Sequence, residues 1–144
     1  MLLGRSANGS NMNKFKILIA ENDEDEQDFL KEGFDNTDYF EVIAMAMNAN
    51  GLFRLLEESI SDMPDLVLTD LNMDGQNGYD VLRFMYSHPH FSRIPVIVYS
   101  GSLLDSVVTK CLELGAKHVV MKPSSLDGYQ RFPAQLYDLM QEGA

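Results

Sequence analysis

Polar side chains follow four apolar runs of the sequence, at the points where predicted strands end. In chain order they are Glu21 with its neighbour Asn22, Asp70, Ser100 and Lys122. In an α/β protein the carboxyl ends of parallel strands meet at one edge of the sheet, and ligands bind there. Acids, a central aspartate, a hydroxyl and an ammonium group are what phosphoryl transfer uses, because that reaction depends on positioning and on charge stabilisation. The sequence therefore predicts a phosphoryl-transfer site centred on Asp70.

The elements that must position these side chains follow from the apolar pattern. Short apolar runs alternate with helical periodicity, which indicates βαβ units and a parallel sheet. We predict strands at 16–20, 40–46, 65–69, 94–99 and 118–121, with helices near Asp23, after Gly78, and at 51–60, 103–114 and 126–140. The predicted class is α/β, of the (βα)5 type: a flavodoxin-like, doubly wound, five-stranded parallel sheet in a three-layer sandwich.

Local signals predict how three helices begin, end or bend. Asp23 and Glu26 have the spacing of a capping box for the first helix, and Gly115 is placed to end the fourth. Pro133 lies inside the last helix and is expected to kink or split it. Four residues of that helix are expected to face the core: Leu126, Tyr129, Leu136 and Met140.

Composition restricts the classes of partner. The 144 residues include 22 acids but only 11 lysines and arginines, a net charge of −11, which argues against direct binding of nucleic acid or of an anionic membrane. No apolar stretch approaches the roughly 20 residues that a membrane span needs. The single cysteine, Cys111, cannot form an internal disulfide, and we expect a cytoplasmic protein. Residues 1–13 are expected to be a disordered leader or a cloning remnant, and 14–142 the folded domain.

The four strand ends together resemble the receiver domain of two-component response regulators, over roughly residues 14–142. The resemblance implies that Asp70 is the phosphoacceptor and that Ser100 and Lys122 contact the phosphoryl group. It also implies a Mg²⁺ site formed by Glu21, Asn22, Asp70 and the backbone carbonyl of Asn72. Gly101, which is small, leaves room beside the phosphoryl group.

Three positions depart from the family pattern. Asn22 stands where an aspartate usually binds the metal, so we expect weakened Mg²⁺ binding, because Mg²⁺ prefers charged oxygen ligands. Asp74 replaces the usual proline of the loop after the central aspartate. Val119 replaces the aromatic residue of strand five, so a tyrosine or phenylalanine rotamer switch is absent.

The resemblance implies a stand-alone response regulator rather than an enzyme. It would accept a phosphoryl group from a phosphohistidine on a sensor kinase or phosphotransfer protein. It would then contact a downstream protein through helix four, strand five and helix five, as a monomer or weak homodimer. The alternative is a degenerate receiver that binds partners without phosphorylation. Asn22, Asp74 and Val119 favour it, whereas Asp70, Ser100 and Lys122 oppose it.

Three other classes of site fit the sequence less well. A flavin-binding protein of this fold would need a hydroxyl-rich and glycine-rich loop after strand one, where residues 21–24 are mostly acids. A phosphatase with an aspartate nucleophile usually has a second aspartate two residues later, at the position of Asn72. An EF-hand calcium loop beginning at Asp70 would need glutamate at the position of Val81, and a helix before the loop.

Overall fold

The structure, a computed structural model, describes residues 14–73 and 75–142, so the expectation for residues 1–13 lies outside the described residues. Its strands are β1 (Phe15–Ala20), β2 (Phe40–Ala46), β3 (Leu66–Asp70), β4 (Val96–Ser100) and β5 (His118–Met121). Its helices are α1 (Glu24–Asp35), α2 (Ala49–Glu58), α3 (Gly78–Ser87), α4 (Asp105–Glu113) and α5 (Leu126–Gln141). The strands are parallel, in the order β2-β1-β3-β4-β5. The predicted doubly wound α/β fold is confirmed.

Helices cover both faces of the sheet and form two separate cores. Side chains alternate between the faces of a strand, so Leu18 and Val67 lie in one core and Ile17 and Leu68 in the other. Buried residues of α2, α3 and α4 pack into the first core, and buried residues of α1 and α5 into the second. The predicted three-layer sandwich is confirmed, and it buries the central strands on both sides.

Two strands reach one residue further than the sequence predicts. Asp70 is the last residue of β3 and Ser100 the last of β4, and every residue of both strands is buried. Asp70 is in register with Tyr99 on the neighbouring strand. The sheet itself, rather than a flexible loop, therefore fixes the backbone of the central aspartate.

The start of α1 differs in one respect from its prediction. Asp23 is the N-cap, and its side chain accepts a hydrogen bond from the Glu26 amide at 3.1 Å. The reciprocal half of the predicted capping box is wrong, because the Asp23 amide donates to Glu21 at 3.0 Å. The Glu26 carboxylate is thereby left available for another partner.

The last helix is continuous, so Pro133 does not split it, and the kink stays a prediction. Proline has no N–H to donate to the carbonyl four residues earlier, which is that of Tyr129. This carbonyl faces α1, where a Cβ built on Gly33 would lie only 2.4 Å from its oxygen. The lack of a side chain at Gly33 therefore lets α1 approach the proline-containing turn of α5. Leu126, predicted to face the core, is exposed.

The fourth helix ends as predicted. Gly115 follows it with a φ of 111°, a left-handed conformation that glycine adopts without the steric penalty of a side chain. Cys111 is fully buried in the core on the side of α2, α3 and α4.

Candidate functional site

Asp70 lies at the carboxyl edge of the sheet with its side chain almost completely buried, at 3% exposure. One carboxylate oxygen, Oδ1, accepts a hydrogen bond from the Asn72 amide at 3.1 Å, and the other, Oδ2, from the Lys122 ammonium at 3.0 Å. Each carboxylate oxygen can accept more than one hydrogen bond. Both oxygens are thus oriented by the protein and still have lone pairs available.

The loop after Asp70 is held against the sheet by Gly78, the first residue of α3. Its amide donates to the Leu71 carbonyl at 2.8 Å. A Cβ on Gly78 would meet the Leu71 Cα at 2.9 Å and the Asp70 carbonyl oxygen at 3.0 Å. A larger residue would therefore push the start of α3 away from the aspartate.

Lys122 follows β5 directly and points into the site. Its ammonium nitrogen lies 3.0 Å from Asp70, 3.0 Å from Glu26 and 3.4 Å from Glu21. Its backbone amide donates to the Ser100 carbonyl at 2.9 Å, which ties the end of β5 to the end of β4. The peptide bond before Pro123 is trans, so Lys122 reaches Asp70 with ordinary backbone geometry.

Glu21 is completely buried, and its two carboxylate oxygens have different partners. The Tyr99 hydroxyl donates to Oε1 and the Asp23 amide to Oε2. Tyr99 was not among the predicted site residues. The sequence does contain an indication of its role, because a tyrosine inside a buried apolar strand needs a hydrogen-bond partner for its hydroxyl. Glu21, at the end of β1, lies near enough to be that partner.

Glu26 is the second residue that sequence reasoning missed, because it was assigned to the helix cap. Its carboxylate contacts Lys122 and also accepts a hydrogen bond from the Tyr129 hydroxyl at 3.2 Å. The site therefore has three carboxylates around one ammonium group. These belong to Glu21, Glu26, Asp70 and Lys122, on four different segments of the chain.

Burial has one effect on the pKa of each of these groups, and the neighbouring opposite charges and hydrogen bonds have the opposite effect. Burial raises the pKa of both Glu21 and Asp70 above their ordinary values, although their hydrogen bonds and Lys122 oppose the rise. Burial alone would lower the pKa of Lys122, but its hydrogen bonds to Glu26 and Asp70 outweigh this effect and raise it. The ammonium is therefore charged at neutral pH, and burial makes the ionised forms of Glu21 and Asp70 less favourable than they are in water.

The other predicted site residues lie at the same edge in less direct contact. Ser100 is buried, and its hydroxyl oxygen accepts a hydrogen bond from the Ser102 amide at 3.2 Å; within the described residues no hydrogen bond joins it to Asp70. No atom lies within 4 Å of a Cβ built on Gly101, which agrees with the expectation of free space there. Asn22 is half-buried beside Glu21.

The donor set at this edge fits a hard divalent cation. The buried carboxylates of Glu21 and Asp70, the Asn22 amide and the backbone at Asn72 offer oxygen ligands of the kind that Mg²⁺ takes. Within residues 14–73 and 75–142, no group of three or more acidic, histidine or cysteine side chains is arranged around a common metal position.

Comparison with known proteins gives one consistent family. The family described as the response regulator receiver domain matches residues 17–130. The two-component response regulator ARR3 of Arabidopsis thaliana is 32% identical over 72 residues, 50% of this chain and 31% of that protein. A protein-glutamate methylesterase/protein-glutamine glutaminase of Paramagnetospirillum magneticum is 29% identical over 129 residues, 85% of this chain and 35% of that protein. The chain thus spans about a third of the length of these relatives.

Solved structures agree on the fold. The phosphorylated cyanobacterial phytochrome response regulator RcpA superposes with a TM-score of 0.79 at 23% identity, covering 91% of this chain and 96% of RcpA. The Mn²⁺-bound form of response regulator Rcp1 has a TM-score of 0.73 at 20% identity, covering 90% and 96%.

Among the described residues, no helix combines the length and the apolar character that crossing a membrane requires.

Proposed function

We propose that this chain, which belongs to the response regulator receiver domain family, is a phosphorylation-controlled switch that accepts a phosphoryl group on Asp70. The observation that carries the proposal is the placement of Asp70: a buried carboxylate at the end of β3, with one oxygen 3.0 Å from the Lys122 ammonium. A buried carboxylate with a raised pKa and a specific cationic partner is typical of a functional position.

The proposed reaction is an in-line transfer from a phosphohistidine. An oxygen of Asp70 forms a bond to phosphorus while the phosphorus–nitrogen bond of the donor breaks, and the donor imidazole leaves with the electron pair. Lys122 stabilises the negative charge of the transferred group, as an ammonium group does in other phosphoryl transfers. Ser100 supplies a hydroxyl at the end of the neighbouring strand, and Gly101 leaves space for the phosphoryl oxygens.

Glu21, Asn22, Asp70 and the Asn72 backbone carbonyl are the residues that we propose hold Mg²⁺. A bound divalent cation reduces the repulsion between the phosphoryl oxygens and the aspartate carboxylate as they approach each other. The site needs such help, because three carboxylates surround Lys122 and repel an incoming anion. We further propose that Asn22 weakens this binding, since its amide offers an oxygen without charge.

The proposed output is a contact with another protein. Exposed apolar side chains on α4, β5 and α5 support the predicted face, among them Leu112, Met121 and Leu126. We propose a sensor histidine kinase or a phosphotransfer protein as the phosphoryl donor, and a cytoplasmic location. We also propose that the chain is a phosphoacceptor rather than an enzyme. The stand-alone status and the monomeric or weakly dimeric state stay predictions.

Intact mass spectrometry tests the acceptor. Incubation with acetyl phosphate and Mg²⁺ should add the mass of one phosphoryl group to the protein, and Asp70→Asn should show no gain. Because an acyl phosphate is labile, hydroxylamine should remove the added mass. A gain of the same size in Asp70→Asn would place the acceptor elsewhere.

A degenerate receiver that binds partners without phosphorylation is the second candidate. Asn22 and Val119 favour it: one removes a charged metal ligand, and the other places an aliphatic side chain against the core on the α2, α3 and α4 side. No gain of mass at saturating Mg²⁺, from either acetyl phosphate or a phosphorylated histidine-containing transfer protein, would support this candidate over the first.

A further inference from the structure

We propose that Glu26 is a positioning residue that holds the Lys122 ammonium in a position shared with Asp70, and so limits how strongly Lys122 stabilises a phosphoryl group on Asp70. The effect on phosphorylation rests on the proposed function, whereas the contact between Glu26 and Lys122 is independent of it. It concerns a residue outside the acceptor, the hydroxyl, the lysine and the metal ligands assigned above.

The contact of Lys122 with Glu26 is at least as close as its contact with Asp70. The ammonium lies 3.0 Å from Oε1 of Glu26 and within hydrogen-bond distance of Oε2, at 3.2 Å. Its distance to Asp70 is also 3.0 Å. An ammonium group has three N–H donors and no more, so any donor engaged by Glu26 is withheld from the site around Asp70.

Glu26 is itself held in place from the opposite side. The Tyr129 hydroxyl on α5 donates to Oε1 of Glu26 at 3.2 Å, and the Tyr129 ring packs at 5.3 Å from the ring of Phe29 on α1. The close approach of α1 to α5 at Gly33 fixes this junction. The carboxylate is therefore a fixed feature of the α1–α5 interface and not a freely moving surface acid.

A phosphoryl group on Asp70 would bring new anionic oxygens within reach of Lys122, and these oxygens would compete with its contacts to Glu21 and Glu26. Glu21 is completely buried and keeps hydrogen bonds from Tyr99 and from the Asp23 amide. The Glu26 side chain is 24% exposed, so water can replace its contact with the ammonium at lower cost. Glu26 is thus the partner that Lys122 gives up, and losing that contact opposes phosphorylation.

Two variants separate this contact from a general effect of charge. Glu26→Gln removes the negative charge that touches Lys122. Glu24→Gln removes the same charge from the same first turn of α1, at an exposed position with no hydrogen bond or ion pair to Lys122 among the described residues. The phosphoryl mimic is beryllofluoride, titrated at saturating Mg²⁺ and at a fixed excess of fluoride.

We expect Glu26→Gln to lower the beryllofluoride concentration at half-saturation at least about threefold, because one charge near the pocket is removed and Lys122 is released. Glu24→Gln should stay within a factor of about 1.5 of the parent, because exposed charges are screened. No change in Glu26→Gln, weaker binding, or an equal gain in Glu24→Gln would overturn the proposal.

A second readout follows Lys122 without any phosphoryl group. The ¹⁵N–¹H cross-peak of its ammonium should be visible in the parent, because hydrogen bonds slow proton exchange with water, and Lys122→Arg assigns it. We expect the peak to broaden or vanish in Glu26→Gln and to persist in Glu24→Gln. A peak unaffected by Glu26→Gln would contradict the contact. Failure of the parent to bind beryllofluoride would instead overturn the proposed function, while the cross-peak still decides whether Glu26 holds Lys122.

Discussion

Replacing Lys122 by methionine removes the ammonium group that contacts all three carboxylates of the site. The aliphatic part of the side chain is kept, so the change is mainly one of charge. The lysine side chain is only 17% exposed, and those of Asp70 and Glu21 are 3% and 0% exposed. We expect the variant to fold but to be markedly less stable than the parent at neutral pH.

The distances give the size of the effect. At 3.0–3.4 Å and an effective dielectric constant of 20, each contact has a Coulomb energy of about 5 kcal/mol. Burial of the lysine cancels much of this sum, so the net loss is better taken from buried pairs that lose one partner, about 3–5 kcal/mol. A domain of this kind has roughly 5–15 kcal/mol of stability, which leaves the variant folded at room temperature.

The loss should depend on pH, with a sign that the two buried carboxyls determine. Burial raises the pKa of Glu21 and Asp70 in the folded protein, so the folded state binds their protons more tightly than the unfolded chain. Stability therefore falls as pH rises from the ordinary pKa values through the raised ones. Without Lys122 both pKa values rise further, so the loss of stability should be smaller at pH 5.0 than at pH 7.5.

Urea unfolding followed by circular dichroism, with chelator present at both pH values, measures this difference. Lys117→Met is the matched control, because Lys117 is an exposed lysine shortly before β5, and it should change stability by no more than about 0.5 kcal/mol. A loss below about 1 kcal/mol for Lys122→Met at pH 7.5, or an equal loss at both pH values, would refute the assigned role of the lysine.

Three further substitutions test other parts of the site and its support. Asn22→Asp should tighten Mg²⁺ binding by about 1–4 kcal/mol, the range expected for one added charge; an unchanged calorimetric titration would show that charge at this position does not limit affinity. Tyr99→Phe should cost about 1–3 kcal/mol in urea unfolding, because it leaves a buried Glu21 oxygen without its hydroxyl donor; a neutral result would contradict that hydrogen bond. Gly33→Ala should cost about 1–3 kcal/mol, because its Cβ would press on the Tyr129 carbonyl; a thermal midpoint equal to that of the parent would show that the two helices separate freely.

The order of elements and the position of the strand ends could be predicted from the sequence. Strand β5 was predicted with its observed bounds, and β3 and β4 were each predicted to end one residue early. These features follow from apolar periodicity and from the rule that parallel strands share a carboxyl edge. Periodicity is a local property and the shared edge a property of the topology. The sequence therefore predicts that Asp70 and Lys122 lie at the same edge of the sheet.

The partners within the site were decided by the tertiary structure. Glu26 has the spacing of a capping residue, yet its carboxylate binds Lys122, 96 residues away. Tyr99 lies in an apolar run, yet its hydroxyl serves Glu21, 78 residues away. Pro133 predicts a kink or a split, yet α5 is not split beside Gly33. The local sequence pattern predicts the helices and strands because their periodicity follows which residues are buried. It does not predict which charged side chains contact each other, because those contacts depend on how α1, β4 and α5 pack at a shared edge.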